Sequence, residues 1–319
     1  MKKRICLLFC MIALFGLFGC ENEPASLPAE GPPAETAGIT FTDDLGREIT
    51  VSKPQRTAAL IGSFADIWCL AGGADSLVAA ANDAWTQFSL ELGEDQVANL
   101  GSTREINVET LLAADPDFVI GSTKTEANVE LMEILNQAKI PVAYFDVSSF
   151  DDYLRMLKIC TQLTGCEENY SAYGLDVQKQ IQTSVDRVSG EAPTVLYIRS
   201  TGSSVKVKNS ENTVLGEMLA DLGCVNIADS ETSLLENLSI ETIIASDPTY
   251  IFVVLQGTDT TDAQRNLEMT LLSNPAWNGL TAVQEGRYYI MDQRLYNVKP
   301  NARWGEAYEK LADILYPEK

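Results

Sequence analysis

The sequence contains no histidine among its 319 residues. Histidine is the usual general base of Ser-His-Asp and Cys-His nucleophile systems, so its absence removes most hydrolase mechanisms. Histidine ligation of a metal ion or of a haem iron is excluded for the same reason. No P-loop, GxSxG or GxGxxG motif is present either. The sequence therefore favours a protein that binds a ligand over one that catalyses a reaction.

Basic residues are scarce, with 23 lysines and arginines against 45 aspartates and glutamates. Three of the basic residues lie at positions 2–4, so a chain without this leader has 20 minus 45, a formal charge of −25. No run rich in lysine or arginine follows residue 4. Because nucleic acid requires a basic surface, it is excluded as a partner, and the acidity mainly implies solubility.

Four cysteines follow Cys20, and no two of them form a CxxC pair, which excludes a zinc ribbon. Cys160 and Cys166 can form a disulfide in an exported protein. Cys69 and Cys224 lie in apolar helical contexts that are typical of buried free thiols.

The first twenty residues have the layout of a cleavable export signal. Residues 2–4 are basic, and the apolar stretch over 5–18 is shorter than the roughly 20 residues of a membrane-spanning helix. Residues 17–20 (LFGC) resemble a bacterial lipobox, although the phenylalanine is larger than the usual residue. We expect a signal peptide over 1–19 and acylation of Cys20, such as palmitate, which anchors the protein to the extracytoplasmic face of the cell membrane. An ordinary signal that happens to contain a cysteine is the alternative.

Residues 20–38 are predicted to be the lipidated cysteine followed by a flexible tether. The segment after Cys20 is rich in Pro, Ala and Glu and carries no basic residue. It has too little apolar surface to offset the entropy of ordering. Such a linker lets a folded body reorient above a membrane.

Short apolar strands alternate with helices in the body of the chain. Residues 39–51 alternate apolar and polar side chains on either side of a turn, which predicts a β-hairpin. Strands and helices then alternate to about residue 145, and again over 194–315, a pattern typical of parallel sheets covered on both faces. Between these parts, residues 167–188 form a proline-free helical run. Its length of about 33 Å is enough to connect two lobes.

One segment occurs twice. Residues 107–120 (NVETLLAADPDFVI) align without gaps with residues 239–252 (SIETIIASDPTYIF), with five identities in fourteen positions. In each copy an Asn or Ser is expected to cap a short helix, a glutamate to lie in its first turn, and Asp-Pro to end it before a strand. Two copies 132 residues apart favour a duplicated lobe over a solenoid.

Several short segments occur in a characteristic order along the body. They are DLGR at 44–47, PQR at 54–56, the first repeat at 108–120, GCVN at 223–226, NPAW at 274–277 with Val283, and LADILYP at 311–317. With these segments, the chain resembles the periplasmic-binding-protein family whose lobes are joined by one rigid helix and which serves importers of ferric siderophores, haem and cobalamin. The resemblance covers about residues 39–318. It implies two Rossmann-like α/β lobes with central parallel sheets, over 39–165 and 191–319, joined by a single long rigid helix over 166–190.

The resemblance implies a solute-binding lipoprotein of an ABC importer, with no catalytic residue, resident metal or cofactor. An iron(III)-siderophore is the leading ligand, and cobalamin, another corrinoid or haem is the alternative. The implied partner is an ABC permease dimer with its ATPase subunits, which Glu109 and Glu241 contact, one from each lobe. The alternative for these glutamates is that they only complement a helix dipole. A surface receptor, an adhesin or an enzyme on the same fold is the alternative of another class.

Ligands of open α/β sheets bind beyond the carboxyl ends of the strands. Arginine donates bidentate hydrogen bonds to carboxylates, while tryptophan and tyrosine offer flat apolar surface. Without histidine, haem binding needs a tyrosine ligand, for which Tyr296 is the candidate. Ordinary surface arginines, and packing of Trp304 on the sheet, are the competing interpretation. The predicted ligand-binding residues are Ser63, Phe64, Trp85, Arg104, Lys124, Arg199, Gln256, Arg294, Tyr296, Arg303 and Trp304.

Overall fold

The computed structural model describes residues 38–93, 95–257 and 259–317. The predicted signal peptide, Cys20 and the tether up to residue 37 lie outside them. Among the described residues, no helix has the length and apolar character needed to cross a membrane.

The predicted hairpin opens the described chain and is confirmed. Strand β1 (Ile39–Thr42) pairs antiparallel with β2 (Glu48–Val51). In the turn, the Asp43 carboxylate accepts hydrogen bonds from the backbone N–H and the guanidinium of Arg47. Burial alone raises the pKa of Asp43, but these hydrogen bonds outweigh it and lower the pKa below its usual value. The carboxylate therefore stays ionised and holds the turn.

The N-terminal lobe is built on a five-stranded parallel sheet in the order β5-β4-β3-β8-β9. Its strands are short and fully buried at the centre, as expected for a sheet covered by helices on both faces. Two further strands form a small antiparallel pair. The strands are β3 (Thr57–Ala59), β4 (Leu77–Ala80), β5 (Ala98–Asn99), the pair β6 (Gly101–Ser102) and β7 (Glu105–Ile106), β8 (Phe118–Ser122) and β9 (Val142–Phe145).

The C-terminal lobe has a second five-stranded sheet. Its strands are β10 (Thr194–Ser200), β11 (Val205–Lys208), β12 (Val225–Asn226), β13 (Tyr250–Leu255) and β14 (Tyr288–Met291). Strands β10, β13 and β14 are parallel neighbours, and β12 pairs in parallel with the start of β10. Strand β11, by contrast, is antiparallel to β10. Only residues 201–204 connect the two, and a connection this short allows a hairpin but no parallel crossover.

Sixteen α-helical segments cover the two sheets within the described residues. They are α1 (Gly62–Trp68), α2 (Asp83–Thr86), α3 (Val108–Ala113), α4 (Glu126–Glu130), α5 (Met132–Gln137), α6 (Phe150–Thr164), α7 (Glu168–Tyr170), α8 (Asp176–Val185), α9 (Val214–Asp221), α10 (Ile227–Ser230), α11 (Ser233–Glu236), α12 (Ile240–Ser246), α13 (Thr261–Leu267), α14 (Thr281–Gln284), α15 (Gln293–Tyr296) and α16 (Trp304–Leu315). Helix α6 begins with a full capping box, in which Ser149 and Asp152 satisfy each other's backbone N–H groups.

One continuous helix joins the lobes, as the fold class predicts. Helix α7 continues through a π-helical turn at Ser171–Leu175 into α8 without leaving right-handed helical geometry. Gly174 packs on α6, because a Cβ there would lie 3.0 Å from the Leu154 side chain. Helix α16 lies against α8, and a Cβ on Gly305 would lie 2.1 Å from the Gln180 side chain. These close approaches fix the joining helix between its neighbours.

The two copies of the sequence repeat occupy equivalent places. Segment 107–120 forms α3 and β8, and segment 239–252 forms α12 and β13. Strand β8 lies between β3 and β9, just as β13 lies between β10 and β14. The predicted caps are confirmed, since the side chain of Asn107 or Ser239 accepts the backbone N–H three residues on. The repeat therefore forms the same helix and strand at equivalent places in the two sheets.

The four cysteines of the described chain are free thiols, so Cys160 and Cys166 form no disulfide here. Burial raises the pKa of the Cys160 thiol. It raises the pKa of Cys69 and of Cys224 to about 12. Thiols held in the protonated form are poor nucleophiles and poor metal ligands, so Cys69, Cys160 and Cys224 serve packing.

Candidate ligand-binding cleft

A cavity of about 310 Å³ lies between the two lobes. It is placed beyond the carboxyl ends of the strands, where the fold predicts a ligand. Lys124 follows β8, Val147 and Ser148 follow β9, and Arg199 lies near the end of β10. The full lining is Lys124, Val147 and Ser148 from the N-terminal lobe, and Tyr197, Arg199, Asn212, Thr213, Val214, Asn297 and Lys299 from the C-terminal lobe.

Three cations line this cavity. The Lys124 ammonium is 3.0 Å from a carboxylate oxygen of Asp146. Arg199 donates a hydrogen bond of 3.0 Å to the neutral side chain of Asn297. The Lys299 ammonium lies 5.8 Å from the centre of the Phe64 ring. In the described part of the chain, neither Arg199 nor Lys299 forms a salt bridge, so the cleft carries positive charge that no directly contacting carboxylate neutralises.

The protein environment disfavours the charged form of two lysines, Lys299 and Lys208. Burial lowers the pKa of Lys299 and Lys124 lowers it further, although Asp146 and Asp83 oppose the change. Burial also lowers the pKa of Lys208, and the nearby charges of Arg199 and Lys206 act in the same direction. A bound anion would relieve both effects, because an opposite charge at close range favours the protonated amine.

A second cavity of about 580 Å³ is lined by the N-terminal lobe alone. It shares Lys124 with the first cavity, and its lining adds Arg104, Glu126 and Glu130. Of the predicted residues, the structure therefore brings together Lys124 and Arg199 in one cavity, with Arg104 in the next.

The residues predicted after β3 lie beneath the cleft. Ser63 and Phe64 begin helix α1, and both are buried. The backbone oxygen of Ser63 accepts a hydrogen bond of 2.9 Å from the Asn301 side chain. The ring of Phe64 packs in the core and faces Lys299. These two residues support the cleft floor and its charge.

Trp85 and Gln256 do not line either cavity. The indole N–H of Trp85 donates to the Leu92 carbonyl at 3.1 Å, and the side chain packs on the core of the N-terminal lobe. Gln256 lies just beyond β13, where its backbone N–H donates to the Ser200 carbonyl at 2.8 Å. In this conformation both residues have structural contacts near the ends of strands.

Tyr296 and Trp304 pack in the core. Tyr296 is 2% exposed, and its hydroxyl donates a hydrogen bond of 3.0 Å to the Ala307 carbonyl. Trp304 is fully buried, with its ring 6.1 Å from that of Phe150 in α6. The contact with Phe150 covers the Trp304 ring from the N-terminal lobe. Neither offers a flat surface to the cleft in this structure.

The two remaining predicted arginines lie outside the cavities. The Arg294 guanidinium stacks 3.9 Å from the centre of the Phe88 ring, and burial lowers its pKa. Arg303 is exposed and forms a two-bonded ion pair with Glu306. The hydrogen bonds from Arg303 and Lys310 lower the pKa of Glu306 to about 2.

The residues predicted from sequence did not include Lys299, Asn297 and Asn212, which line the cavity. Lys299 lies in the loop after α15, and no local pattern distinguishes it from a surface lysine. Asn212 precedes α9 and adopts a φ of 58°, a conformation in which asparagine is favoured. Its place in the cleft depends on tertiary structure.

The two repeated glutamates are exposed on separate lobes. Glu109 lies in the first turn of α3, and Glu241 in the first turn of α12. A carboxylate oxygen of Glu241 accepts a hydrogen bond of 3.1 Å from the Ser239 hydroxyl. Both carboxylates are therefore available to a partner.

The family model described as "Periplasmic binding protein" matches residues 58–295. The chain belongs to this family. It is thus an extracytoplasmic solute-binding protein of ABC import systems, and the relatives found carry names of binding proteins. The iron-uptake system-binding protein of Bacillus subtilis (strain 168) is 26% identical over 325 residues, which cover 98% of this chain and 96% of that protein.

Solved structures show the same fold for this periplasmic binding protein. The periplasmic heme-binding protein RhuT from Roseiflexus sp. RS-1, in its apo form, superposes with a TM-score of 0.67 at 22% identity, covering 82% of this chain and 98% of that one. Staphylococcus aureus SirA complexed with staphyloferrin B gives a TM-score of 0.66 at 18% identity, covering 87% and 97%.

Proposed function

We propose that this protein binds an anionic iron(III)-siderophore in the cleft between its lobes and delivers it to an ABC permease. The observation that carries the proposal is the set of three cations, Lys124, Arg199 and Lys299, that line one cavity, where two of them have no directly paired carboxylate among the described residues. The protein as a whole is strongly acidic, so three cations in one cavity contrast with its overall charge. The relative from Bacillus subtilis, an iron-uptake system-binding protein, supports the choice of iron.

We propose that the iron arrives already chelated. Among the described residues, no three His, Cys, Asp or Glu side chains gather closely enough to hold a metal ion. A siderophore supplies hard oxygen donors of its own, and its ferric complex often keeps a negative charge. Lysine and arginine bind such a complex through its outer oxygens, without replacing any ligand of the iron.

Haem and corrinoids fit the cleft less well. A porphyrin needs broad apolar surface, but Tyr197, which lines the cleft cavity, and Phe64, which faces Lys299, are both buried. The Tyr296 hydroxyl, proposed from sequence as a haem ligand, is occupied by the Ala307 carbonyl. Haem and cobalamin therefore enter the experiment as the competing ligands.

The direct test is mass spectrometry of the protein purified natively from its host, followed by titration with defined ligands. The panel contains carboxylate, hydroxamate and catecholate ferric siderophores, haem and cobalamin. We expect at least one ferric siderophore to bind in the micromolar range or tighter, and Arg199→Gln to weaken it while Arg265→Gln, on an exposed surface, does not. Preferential binding of haem or cobalamin, or equal binding by both variants, contradicts the proposal.

We further propose that acylated Cys20 anchors the protein at the outer side of the cell membrane.

We also propose that Glu109 and Glu241 contact two arginines of the permease dimer. The support for this contact is the pair of exposed glutamates at the same place in both lobes. A two-fold permease offers two equivalent sites to a partner that is itself duplicated. Replacing both glutamates by alanine should leave ligand affinity and Tm nearly unchanged but strongly reduce transport in reconstituted vesicles. Transport equal to wild type would leave the glutamates as helix caps only.

A further inference from the structure

The two repeat helices match each other in exposure as well as in sequence. From Glu109 to Pro116 the side chains run exposed, half-buried, buried, exposed, exposed, half-buried, exposed, buried. The eight residues from Glu241 to Pro248 follow the same order without exception. Each helix therefore turns the same face outward, although the two copies share only some of their residues.

The matched face includes an exposed apolar side chain beside each glutamate. Leu112 is 39% exposed and Ile244 is 38% exposed, which places both among the large apolar side chains that the protein leaves in solvent. Each lies three residues after its glutamate, and an exposed alanine, Ala113 or Ala245, follows it. Residues three and four apart share one face of a helix, so each lobe presents a compact patch of carboxylate, branched aliphatic side chain and alanine.

Stability alone does not explain why both copies keep this arrangement. The preceding residues, Leu111 and Ile243, are buried in the core at 1% and 0% exposure, so each helix is already anchored there by another apolar side chain. A single exposed leucine is ordinary, but the same exposed aliphatic residue beside the same glutamate in two lobes matches a partner with two equivalent sites.

We infer that Leu112 with Ala113, and Ile244 with Ala245, form a second pair of contacts to the permease dimer beside the two glutamates. The inference rests on the proposed delivery to a permease and adds the chemistry of the docking surface. The partner pocket on each subunit is basic at one side and apolar at the other. The glutamate steers and orients, and the aliphatic side chain with its flat alanine neighbour supplies the dry contact.

The test measures docking without any ligand, as binding of the full-length protein to its permease–ATPase complex in detergent. Burying the remaining two-fifths of an aliphatic side chain corresponds to roughly three- to eightfold in affinity. We expect Leu112→Ser and Ile244→Ser to weaken docking by similar factors in this range, and the double variant by about ten- to fiftyfold. The matched control is Val225→Ser with Met269→Ser, at residues 52% and 65% exposed but outside the repeat, and it should bind as wild type does.

The outcomes separate this inference from the proposed function. If the glutamate variants lose docking while the serine double variant keeps it, the apolar contacts are wrong and the glutamate proposal stands. If wild type itself fails to bind the complex, the proposed docking is wrong. If the serine variants instead alter self-association of the isolated protein in sedimentation, the patches contact a second copy and the inference is overturned. Bulky Ala113→Arg and Ala245→Arg variants give a second readout, since both should block docking.

Discussion

Replacing Lys299 by methionine tests the cleft charge most directly. The side chain keeps a similar length and loses only its ammonium group, which lies over Phe64 and forms no salt bridge in the described chain. Losing one charged contact to a bound anion costs about 2–5 kcal/mol. Because Lys124 and Arg199 remain and the cleft is open to water, we expect the lower end, an affinity about 30-fold weaker for an anionic ferric siderophore. Isothermal titration calorimetry measures this loss.

The same variant should be more stable than wild type when no ligand is bound. Burial lowers the pKa of Lys299 below its ordinary 10.5, which means that folding disfavours the charged form. That cost is present at neutral pH and vanishes above pH 10.5, where the lysine is neutral in both states. Calorimetry should therefore show a higher Tm for Lys299→Met at pH 7 and no difference at high pH. Weaker binding joined to higher stability is typical of a residue retained for function.

Ligand affinity should also depend on pH in a way that this variant loses. An anion binds the protonated lysine better, so wild-type affinity falls as the pH rises through the lowered pKa of Lys299 toward 10.5. Lys179→Met is the control, because it removes the same charge from a side chain that is 78% exposed on α8. If Lys299→Met and Lys179→Met bind the siderophore equally well, or if the pH dependence survives in Lys299→Met, the assignment of the cleft charge is refuted.

Three further outcomes are expected. Cys20→Ala should move the protein from the detergent phase to the aqueous phase without lowering its Tm, and retention in detergent would contradict acylation. Ligand binding should change the radius of gyration only slightly in small-angle scattering, because a continuous helix resists hinge bending, and a large decrease would contradict a rigid joint. Tyr296→Phe should leave siderophore affinity unchanged and cost about 1 kcal/mol of stability, the worth of its hydrogen bond to Ala307. A large loss of affinity would place that hydroxyl at the ligand.

The fold was predictable because its signals are local or repeated. The hairpin over 39–51 shows period-two alternation, and the repeat over 107–120 and 239–252 specifies one helix and one strand in each lobe. Strand β11 was missed although Val205–Lys208 (VKVK) also alternates apolar and polar residues, because four residues are a short segment. Alternation this short does not distinguish a strand from a loop until the backbone pairs with β10.

The cleft was predictable in position and less so in composition. Lys124 follows β8 and Arg199 lies at the end of β10, and the rule for parallel sheets finds both. Lys299 enters the cleft because Asn301 donates hydrogen bonds to the Ser63 carbonyl and to Asp66, more than 230 positions earlier in the chain. No pattern within a window of sequence contains that contact. Trp304 was assigned to the ligand for the same reason, since it packs on Phe150 of the other lobe. Tyr296 was assigned to the ligand because no sequence pattern shows the hydrogen bond of its hydroxyl to Ala307.

The packing of the C-terminal segment on the N-terminal lobe has a consequence for biogenesis. The largest cluster of core side chains runs from Val51 in the N-terminal lobe to Leu315 in the last helix, so it belongs to both lobes at once. The rings of Phe150 and Trp304 meet within it, and the Asn301 side chain holds helix α1 from the far end of the sequence. The N-terminal lobe therefore cannot finish its core while the last twenty or so residues are still being synthesised. For this extracytoplasmic binding protein, the shared core is therefore completed by the part of the chain that is synthesised last.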